Sequence, residues 1–229
     1  MKNYKVTALL PMKEHSKRLP NKNIKLLGDK PLFWHILDNL ELSKYITEII
    51  VSTDSAVIKT MIMDNYENIE VVDLPTYLVE DGVTLTPVIE YTLEHIKNHT
   101  FLQVHATSPF LSSATIDSGI VTYFEVMKDG FDSLMGVNSY QTRFYDNKRN
   151  PINHEPSVRL LSQYMPKIYE DNSALYITSV KNFKKTNSRA GINPYFMEIP
   201  KLESIDIDTA EDFIIAEALY SFCRKRGNV

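Results

Sequence analysis

Two groups of polar side chains in this sequence have the types and spacing that phosphate chemistry needs. Asp206 and Asp208 stand two residues apart in a segment that reads as extended, so both carboxylates point to one side. Mg²⁺ bridged to phosphates takes one or two carboxylates of this kind. Upstream, residues 11–23 include four cations, a hydroxyl and a terminal amide, namely Lys13, Lys17, Arg18 and Lys22, then Ser16, and then Asn23. Such groups bind polyanions, so the two groups together predict a site for a phosphorylated ligand and a divalent cation.

Each group also has a simpler interpretation, which the pattern leaves open. A loop rich in charge is often only a solvated surface. Asp208 is followed three residues later by Glu211, which is the spacing of a capping box at the start of the last helix. Capping would account for Asp208 but would leave Asp206 unexplained.

The elements that must position these groups alternate between strand and helix. The sequence predicts strands at Lys5–Leu10, Glu48–Ser52, Ile69–Val72, Phe101–His105, Ser173–Thr178, Tyr195–Ile199 and Ser204–Asp206. It predicts helices at Pro31–Leu42, Ala56–Asn65, Thr86–Lys97, Thr115–Met127 and from Thr209 to about Cys223. Repeated βα units imply a mainly parallel sheet flanked by helices. The basic loop then lies outside the carboxyl end of the first strand, where open α/β sheets bind ligands.

The regular alternation stops in the second half of the chain. Residues 138–171 are rich in Asn, Pro, Tyr and Arg and show no sustained period. A long irregular stretch in a compact domain is more often functional or interface-forming than idle. We therefore expect residues 1–229 to form one domain, with 138–171 as an excursion within it.

Composition excludes several classes of protein. The formal net charge of −4 gives no overall attraction to nucleic acid. One cysteine, Cys223, rules out an intrachain disulfide framework and suits a reducing compartment. No apolar run approaches the roughly 18 residues of a membrane span, and the polar N-terminus has no signal-peptide pattern. We expect a cytoplasmic protein without membrane or nucleic-acid partners.

Two further short segments end or begin predicted strands. His105-Ala106-Thr107-Ser108-Pro109 follows one strand, and Asn172-Ser173-Ala174-Leu175-Tyr176 opens another. Small and hydroxylated residues there can line a pocket, although Thr-Ser-Pro on its own is also typical of a turn into a helix.

Taken in order, these segments resemble the cytidylyltransferases that activate acidic keto-sugars, the acylneuraminate (sialic acid) and related nonulosonate CMP-sugar synthetases. The first motif of that family is Pro-Ala-Arg-x-x-Ser-Lys-x-x-Pro-x-Lys-Asn, and this chain matches it at Pro11, Ser16, Lys17, Pro20, Lys22 and Asn23. The segment 49–54 is similar to the family's second-strand signature. Residues 105–109 and 172–176 resemble Gln-Pro-Thr-Ser-Pro and Asn-Gly-Ala-x-Tyr, and 204–209 matches the closing metal-binding motif without change.

The resemblance implies a Rossmann-like α/β nucleotidyltransferase fold and transfer of CMP from CTP to the anomeric hydroxyl of an acidic sugar, with release of pyrophosphate. It implies Mg²⁺ on Asp206 and Asp208, and catalytic roles for Lys13, Lys22 and Asp208. The implied nucleotide-binding residues are Leu10, Pro11, Lys13, Ser16, Lys17, Lys22, Asn23, Asp81 and Thr107. The implied sugar-binding residues are His105, Ser108, Gln163, Tyr169, Asn172 and Tyr176. In the family the excursion reaches a second subunit, so a homodimer is expected.

Departures from the family pattern concern mainly the acceptor. Lys13 replaces an arginine and loses its bidentate fork, and Glu14 places a carboxylate in the phosphate loop. His105 stands where the family has Gln. Leucines at 74, 111 and 161 occupy family arginine positions, so the cation for an acidic sugar must come from elsewhere, with Arg143, Arg159 and Lys167 as candidates. A nucleotidyltransferase with a non-sialic acceptor and a non-catalytic nucleotide-binding paralogue are the alternatives.

Overall fold

The computed structural model describes residues 4–158 and 160–225 and contains one seven-stranded sheet in the order β5-β4-β1-β6-β8-β7-β9. Its strands are β1 (Val6–Met12), β4 (Ile46–Thr53), β5 (Ile69–Asp73), β6 (Thr100–Val104), β7 (Ser133–Tyr140), β8 (Ile168–Ser179) and β9 (Pro194–Glu198). A separate two-stranded hairpin joins β2 (Leu26–Leu27) and β3 (Lys30–Pro31). Only β8 runs antiparallel to its neighbours in the large sheet. The predicted mainly parallel α/β architecture is confirmed.

Six α-helices flank the sheet in the part of the chain that the structure describes. They are α1 (Leu32–Glu41), α2 (Ala56–Asn65), α3 (Leu85–Thr92), α4 (Ser113–Val126), α5 (Val180–Thr186) and α6 (Ala210–Lys225). Alternate side chains of β1, β4 and β6 pack on α1, α2 and α4 in the larger core. The intervening ones, such as Leu9, Ile50 and Phe101, meet α3 and α5 on the other face. The central strands are therefore apolar on both faces, as expected of a parallel sheet covered by helices.

Three details differ from the sequence prediction. The expected strand Ser204–Asp206 is wrong, because residues 204–208 belong to no described strand or sheet. The third helix ends at Thr92 and not at Lys97, whose backbone N–H donates to Glu48 at 3.0 Å. The sequence did not predict α5 or the β2–β3 hairpin, because each is too short to show a periodic pattern.

The stretch 138–171 is regular at both ends. Asn138, Ser139 and Tyr140 pair with Glu170, Tyr169 and Ile168, so β7 and β8 continue beyond the core as a projecting hairpin. The irregular part runs over residues 141–167, where one isolated bridge joins Tyr145 and Pro151. Its arginine at position 159, one of the candidate cations, lies outside the described residues. No helix in the described ranges has the length and apolarity to cross a membrane.

Candidate active site

A small apolar cluster joins the two chemically interesting segments. Leu19 of the basic loop and Ile207 of the 204–208 segment are both buried in it. The remaining members come from the β2–β3 hairpin, α1 and α6, namely Leu27, Leu32, Phe213, Ala216 and Tyr220. Ile207 is fully buried in this cluster, whereas its neighbours Asp206 and Asp208 are only partly buried and lie outside it. Burying Leu19 and Ile207 together therefore brings the cationic loop to the carboxylate pair.

Close packing at Gly28 supports this cluster. Gly28 has φ +67°, and a Cβ atom there would lie 2.1 Å from the Tyr220 ring of α6. The neighbouring Asp29 accepts a hydrogen bond from the Tyr220 hydroxyl at 3.1 Å. The glycine thus allows α6 to pack against the hairpin that follows the loop.

The 204–208 segment is tied to the end of β6. The Ile207 N–H donates to the carbonyl of Thr107 at 2.9 Å. Burial raises the pKa of Asp206, a hydrogen bond from the Thr107 side chain lowers it, and the nearby charge of Asp208 raises it further. The net pKa of Asp206 lies above its usual value, mainly because the carboxyl is buried and with a smaller contribution from the charge of Asp208.

The capping interpretation of Asp208 is wrong. The cap of α6 is reciprocal and involves Thr209 and Asp212: the Asp212 N–H donates to Thr209 Oγ1 at 3.2 Å, and the Thr209 N–H donates to Asp212 Oδ2 at 2.7 Å. This is a capping box displaced by one residue from the predicted one. Asp208 is consequently available for other contacts.

Two cations of the loop hold the Asp208 carboxylate. Arg18 Nη2 lies 2.7 Å from Asp208 Oδ2, and Lys22 Nζ lies 3.0 Å from Asp208 Oδ1. The Lys22 side chain is only 11% exposed, whereas that of Arg18 is 65% exposed. An exposed ion pair is weakened by solvent screening and by the freedom of its side chains. Lys22 is therefore held at Asp208 more firmly than Arg18 is.

The start of the loop is fixed by hydrogen bonds to its backbone and side chains. Asn23 Nδ2 donates to the Lys13 carbonyl at 3.0 Å, and the Glu14 N–H donates to Asp54 Oδ1 at 2.8 Å. Ser55, and not Asp54, caps α2, so Asp54 serves the loop. Lys13 Nζ donates to the carbonyls of Val79 and Glu80, each at 3.3 Å.

A cavity of about 200 Å³ lies between the loop and the end of β6. It brings together many of the predicted nucleotide and sugar residues, namely Pro11, Lys13, Ser16, Lys22, Asn23, His105 and Thr107. Three other predicted nucleotide residues lie elsewhere. Leu10 is fully buried in the core, and Lys17 forms an exposed ion pair with Asp81 at 2.8 Å.

The acceptor side contains a residue that sequence reasoning missed. Arg189 Nη1 lies 3.1 Å from His105 Nε2, and Arg189 Nη2 donates to the Tyr176 hydroxyl at 3.2 Å. The guanidinium also stacks on the Tyr176 ring, 3.9 Å from its centre. Burial, Arg189 and Lys22 together lower the pKa of His105 from 6.5 to about 3. A lone arginine in a loop has no motif, so only the fold could place it here.

The other predicted sugar residues are not gathered around this arginine. Ser108 is buried, and its N–H donates to the His105 carbonyl at 3.1 Å. Asn172 is buried and donates to Asn138 Oδ1 at 3.2 Å. Gln163 and Tyr169 lie on the projecting hairpin, where Gln163 accepts from Gln141 and Tyr169 packs on Phe196.

The leucines at the family arginine positions differ in their surroundings. Leu74 and Leu111 are buried among apolar side chains, where an unpaired cation would be costly, whereas Leu161 is 64% exposed. Two of the candidate replacement cations are already engaged. Arg143 donates to the Leu160 carbonyl at 2.5 Å, and Lys167 pairs with Glu198 at 2.6 Å.

The carboxylate pair fits a metal that takes few protein ligands. No group of three or more His, Cys, Asp or Glu side chains suited to a metal occurs among residues 4–158 and 160–225. Mg²⁺ does not need one, since it retains waters and binds substrate phosphates beside one or two carboxylates. Asp206 and Asp208, which repel each other beside a cationic cavity, suit that ion.

Comparisons with known proteins identify the family to which this site belongs. A profile of the cytidylyltransferase family matches residues 7–225. The chain is 24% identical over 215 residues to an N-acylneuraminate cytidylyltransferase of Streptococcus agalactiae, covering 92% of this chain but only 52% of that protein. It is 27% identical over 233 residues to a CMP-N,N'-diacetyllegionaminic acid synthase of Legionella pneumophila, covering 94% and 96% of the two chains. The chain thus spans about half the length of the first relative and nearly all of the second.

A solved structure extends the likeness to the fold. The CMP:2-keto-3-deoxy-manno-octonic acid synthetase complexed with CTP superposes with a TM-score of 0.68 at 13% identity, covering 95% of this chain and 99% of that one. The family profile covers nearly the whole sequence, including the basic loop and the Asp206/Asp208 segment. The chain therefore belongs to the cytidylyltransferase family.

Proposed function

We propose that this protein transfers CMP from CTP to the anomeric hydroxyl of an acidic keto-sugar, of the sialic, legionaminic or pseudaminic acid type, and releases pyrophosphate. The anomeric oxygen forms a bond to the α-phosphorus, and the bond from that phosphorus to the oxygen bridging to the β-phosphate breaks. The proton of the attacking hydroxyl passes to Asp208. The observation that carries the proposal is the Asp206/Asp208 pair beside the cationic cavity at the ends of β1 and β6.

Most of the catalysis in such a reaction comes from positioning and charge neutralisation. Lys22 and Arg18 contact Asp208 at 3.0 and 2.7 Å, so both cations lie at the carboxylate pair that would hold the metal and its phosphates. Lys13 and Ser16 line the same cavity, and Asn23 holds the loop in shape through the Lys13 carbonyl. These residues orient the triphosphate and offset its charge.

Mg²⁺ on Asp206 and Asp208 belongs to the same proposal. When bound, the ion neutralises charge on the phosphates and polarises the α-phosphate. Its support here is chemical: Asp206 and Asp208 are hard oxygen ligands of the kind that Mg²⁺ prefers, and the charge of Asp208 adds to the burial that raises the pKa of Asp206.

The decisive experiment measures pyrophosphate release with each nucleoside triphosphate in turn, with Mg²⁺ or EDTA. The acceptors are neuraminate, legionaminate, pseudaminate and octulosonate sugars. We expect release only with CTP, Mg²⁺ and an acidic sugar together. No release with any of these sugars would favour a non-sialic acceptor if CTP still binds, and a non-catalytic nucleotide-binding role if turnover fails with every acceptor class.

We also propose that the projecting hairpin mediates a homodimer. Its tip exposes large apolar side chains, namely Tyr145, Ile152, Val158, Leu161 and Tyr164, each more than half exposed. Exposed apolar patches of this kind mark interaction surfaces. Sedimentation should give twice the 26.4 kDa chain mass, and Leu161→Asp should reduce it to one chain. The control is Leu42→Asp, at another exposed leucine at the end of α1. A monomeric unmodified protein would refute the dimer.

The cytoplasmic location stays a prediction.

A further inference from the structure

We infer that Arg189 is the residue that binds the carboxylate of the acidic acceptor, an assignment that rests on the function proposed above. The family arginine positions 74 and 111 are buried leucines in this chain. Arg143 and Lys167 are engaged on the projecting hairpin and at Glu198. Arg189 is a cation that contacts two of the predicted sugar residues directly, His105 and Tyr176.

The charge of Arg189 lacks a compensating anion. Its described partners are the Gln103 amide oxygen, His105 and the Tyr176 hydroxyl, all of them uncharged groups. Within residues 4–158 and 160–225, no carboxylate lies within 4.0 Å of its nitrogens. Asp171 accepts from the Tyr176 hydroxyl at 2.5 Å and so reaches Arg189 only through that group. Cations removed from water are normally paired, and an incoming carboxylate would supply the pair.

The guanidinium retains donors for such a ligand. It carries five N–H groups, and the bonds to Gln103, His105 and Tyr176 use three of them. Nε and one further N–H donate to no residue in the described ranges. Two free donors on one planar group match the two oxygens of a carboxylate.

Arg189 is joined to the nucleotide cavity through His105. His105 lines that cavity together with Lys22 and Thr107, and its Nε2 meets Arg189 at 3.1 Å. The low pKa of His105 means that the ring is neutral at pH 7 and adds no second positive charge. A sugar whose carboxylate lies at Arg189 would therefore extend past His105 toward Asp208, where its hydroxyl must react.

The loop that carries Arg189 is held in a fixed shape. Asp132 accepts hydrogen bonds from the N–H groups of Ile192 at 2.9 Å and Asn193 at 3.1 Å. Gly191 has φ +66°, and a Cβ atom there would lie 2.2 Å from Asp132 Oδ1. Ser133 Oγ donates to the Ala190 carbonyl on the same turn. A preorganised cation of this kind loses little freedom when it binds an anion.

The test compares an acid with its methyl ester on Arg189 variants. The probe is whichever acid of the acceptor panel supports pyrophosphate release, or N-acetylneuraminic acid if none does. Binding is measured by calorimetry on the full chain without turnover. The variants are Arg189→Met, which keeps an unbranched side chain without the charge, and Arg189→Lys. The control is Lys184→Met, an exposed lysine at the end of α5 with the same charge change.

We expect Arg189→Met to weaken binding of the acid by about 30-fold or more and Arg189→Lys by about 5- to 10-fold, since lysine keeps the charge without the fork. The ester should bind weakly and equally to all variants. CTP affinity and the unfolding midpoint should stay near those of the unmodified protein and of Lys184→Met.

Three results would overturn the assignment: no binding of acid by the unmodified protein, equal binding of acid and ester, or binding of acid to Arg189→Met within threefold. A purely structural role would instead lower the unfolding midpoint and weaken acid and ester alike. Failure of the proposed reaction is seen separately, as absent pyrophosphate release while Arg189-dependent binding of the acid persists.

Discussion

The two sides of the candidate site are built in different ways. On the phosphate side, residues 11–23 and 204–208 each form one continuous segment, and their charges meet within the chain, as Lys22 and Asp208 do at 3.0 Å. On the acceptor side, His105 follows the end of β6, Tyr176 lies in β8 and Arg189 lies in the loop after α5. On that side the cation, Arg189, contacts uncharged groups.

This difference fits the two proposed ligands. A triphosphate carries several charges on a flexible chain, so it needs many donors close together, and a short contiguous loop supplies them. One carboxylate needs one fork at the right place, and any surface loop that reaches the end of β6 can supply it. The phosphate side is thus constrained to a motif, and the acceptor side is free to draw its cation from elsewhere.

The strongest test of the phosphate side is Asp206→Asn. Removing one of the paired carboxylates should lower kcat by about 10³-fold while the fold is kept, because the proposed Mg²⁺ would lose one of its two protein ligands. Pyrophosphate release and circular dichroism measure the two effects. Glu211→Gln, an exposed carboxylate in the first turn of α6, is the matched control. Full activity of Asp206→Asn would refute the metal assignment.

Leu19→Ala tests whether the small apolar cluster joins the two phosphate-side segments. Leu19 is 8% exposed and packs with Ile207, so truncation should lower the free energy of unfolding by about 3 kcal/mol. It should also raise the KM for CTP more than the KM for the sugar. Urea unfolding and steady-state kinetics measure both, with the exposed Leu42→Ala as control. Equal changes in the two KM values would contradict the separation between the two sides.

Lys22→Ala should weaken CTP binding by about 30-fold, near 2 kcal/mol, because Lys22 is almost buried at Asp208. Lys17→Ala should cost threefold or less, on the order of 0.5 kcal/mol, since its pair with Asp81 is exposed. Calorimetry with CTP and with the sugar measures both variants. If Lys22→Ala weakened sugar binding as much as CTP binding, its phosphate role would be refuted.

His105→Gln tests the neutral surroundings of Arg189. The pKa of His105 is about 3 in the fold against 6.5 normally, so the unfolded chain binds a proton that the folded one does not. Stability from this source is present above pH 6.5 and is lost as the pH falls from there toward 3. At pH 5.5 the loss is about 1.4 kcal/mol.

Glutamine should remove that loss while keeping an acceptor for Arg189. Urea unfolding at pH 7.5 and pH 5.5 measures it, and the exposed His99→Gln should change nothing. The same acid sensitivity in His105→Gln and the unmodified protein would show that His105 is not held neutral by the fold.

The prediction from sequence was strongest where the signal is local. Helix α2 lies exactly where its periodicity places it, at Ala56–Asn65, and most central strands differ from the predicted ones by two residues or fewer at each end. Asp206 and Asp208 likewise lie close enough for the charge of one to affect the other, although the expected strand around them did not form. What failed depended on competition between neighbouring residues: Thr209 and Asp212, and not Asp208, form the cap of α6.

By itself, the sequence determined the α/β alternation, the basic loop and the carboxylate pair, because each depends on residues close together in the chain. Only the tertiary structure decided that Leu19 and Ile207 share one cluster, that Lys22 meets Asp208, and that Arg189 reaches His105 across 84 positions. The physical reason is that local spacing controls side-chain direction, whereas the approach of distant segments is decided by which apolar surfaces are buried together.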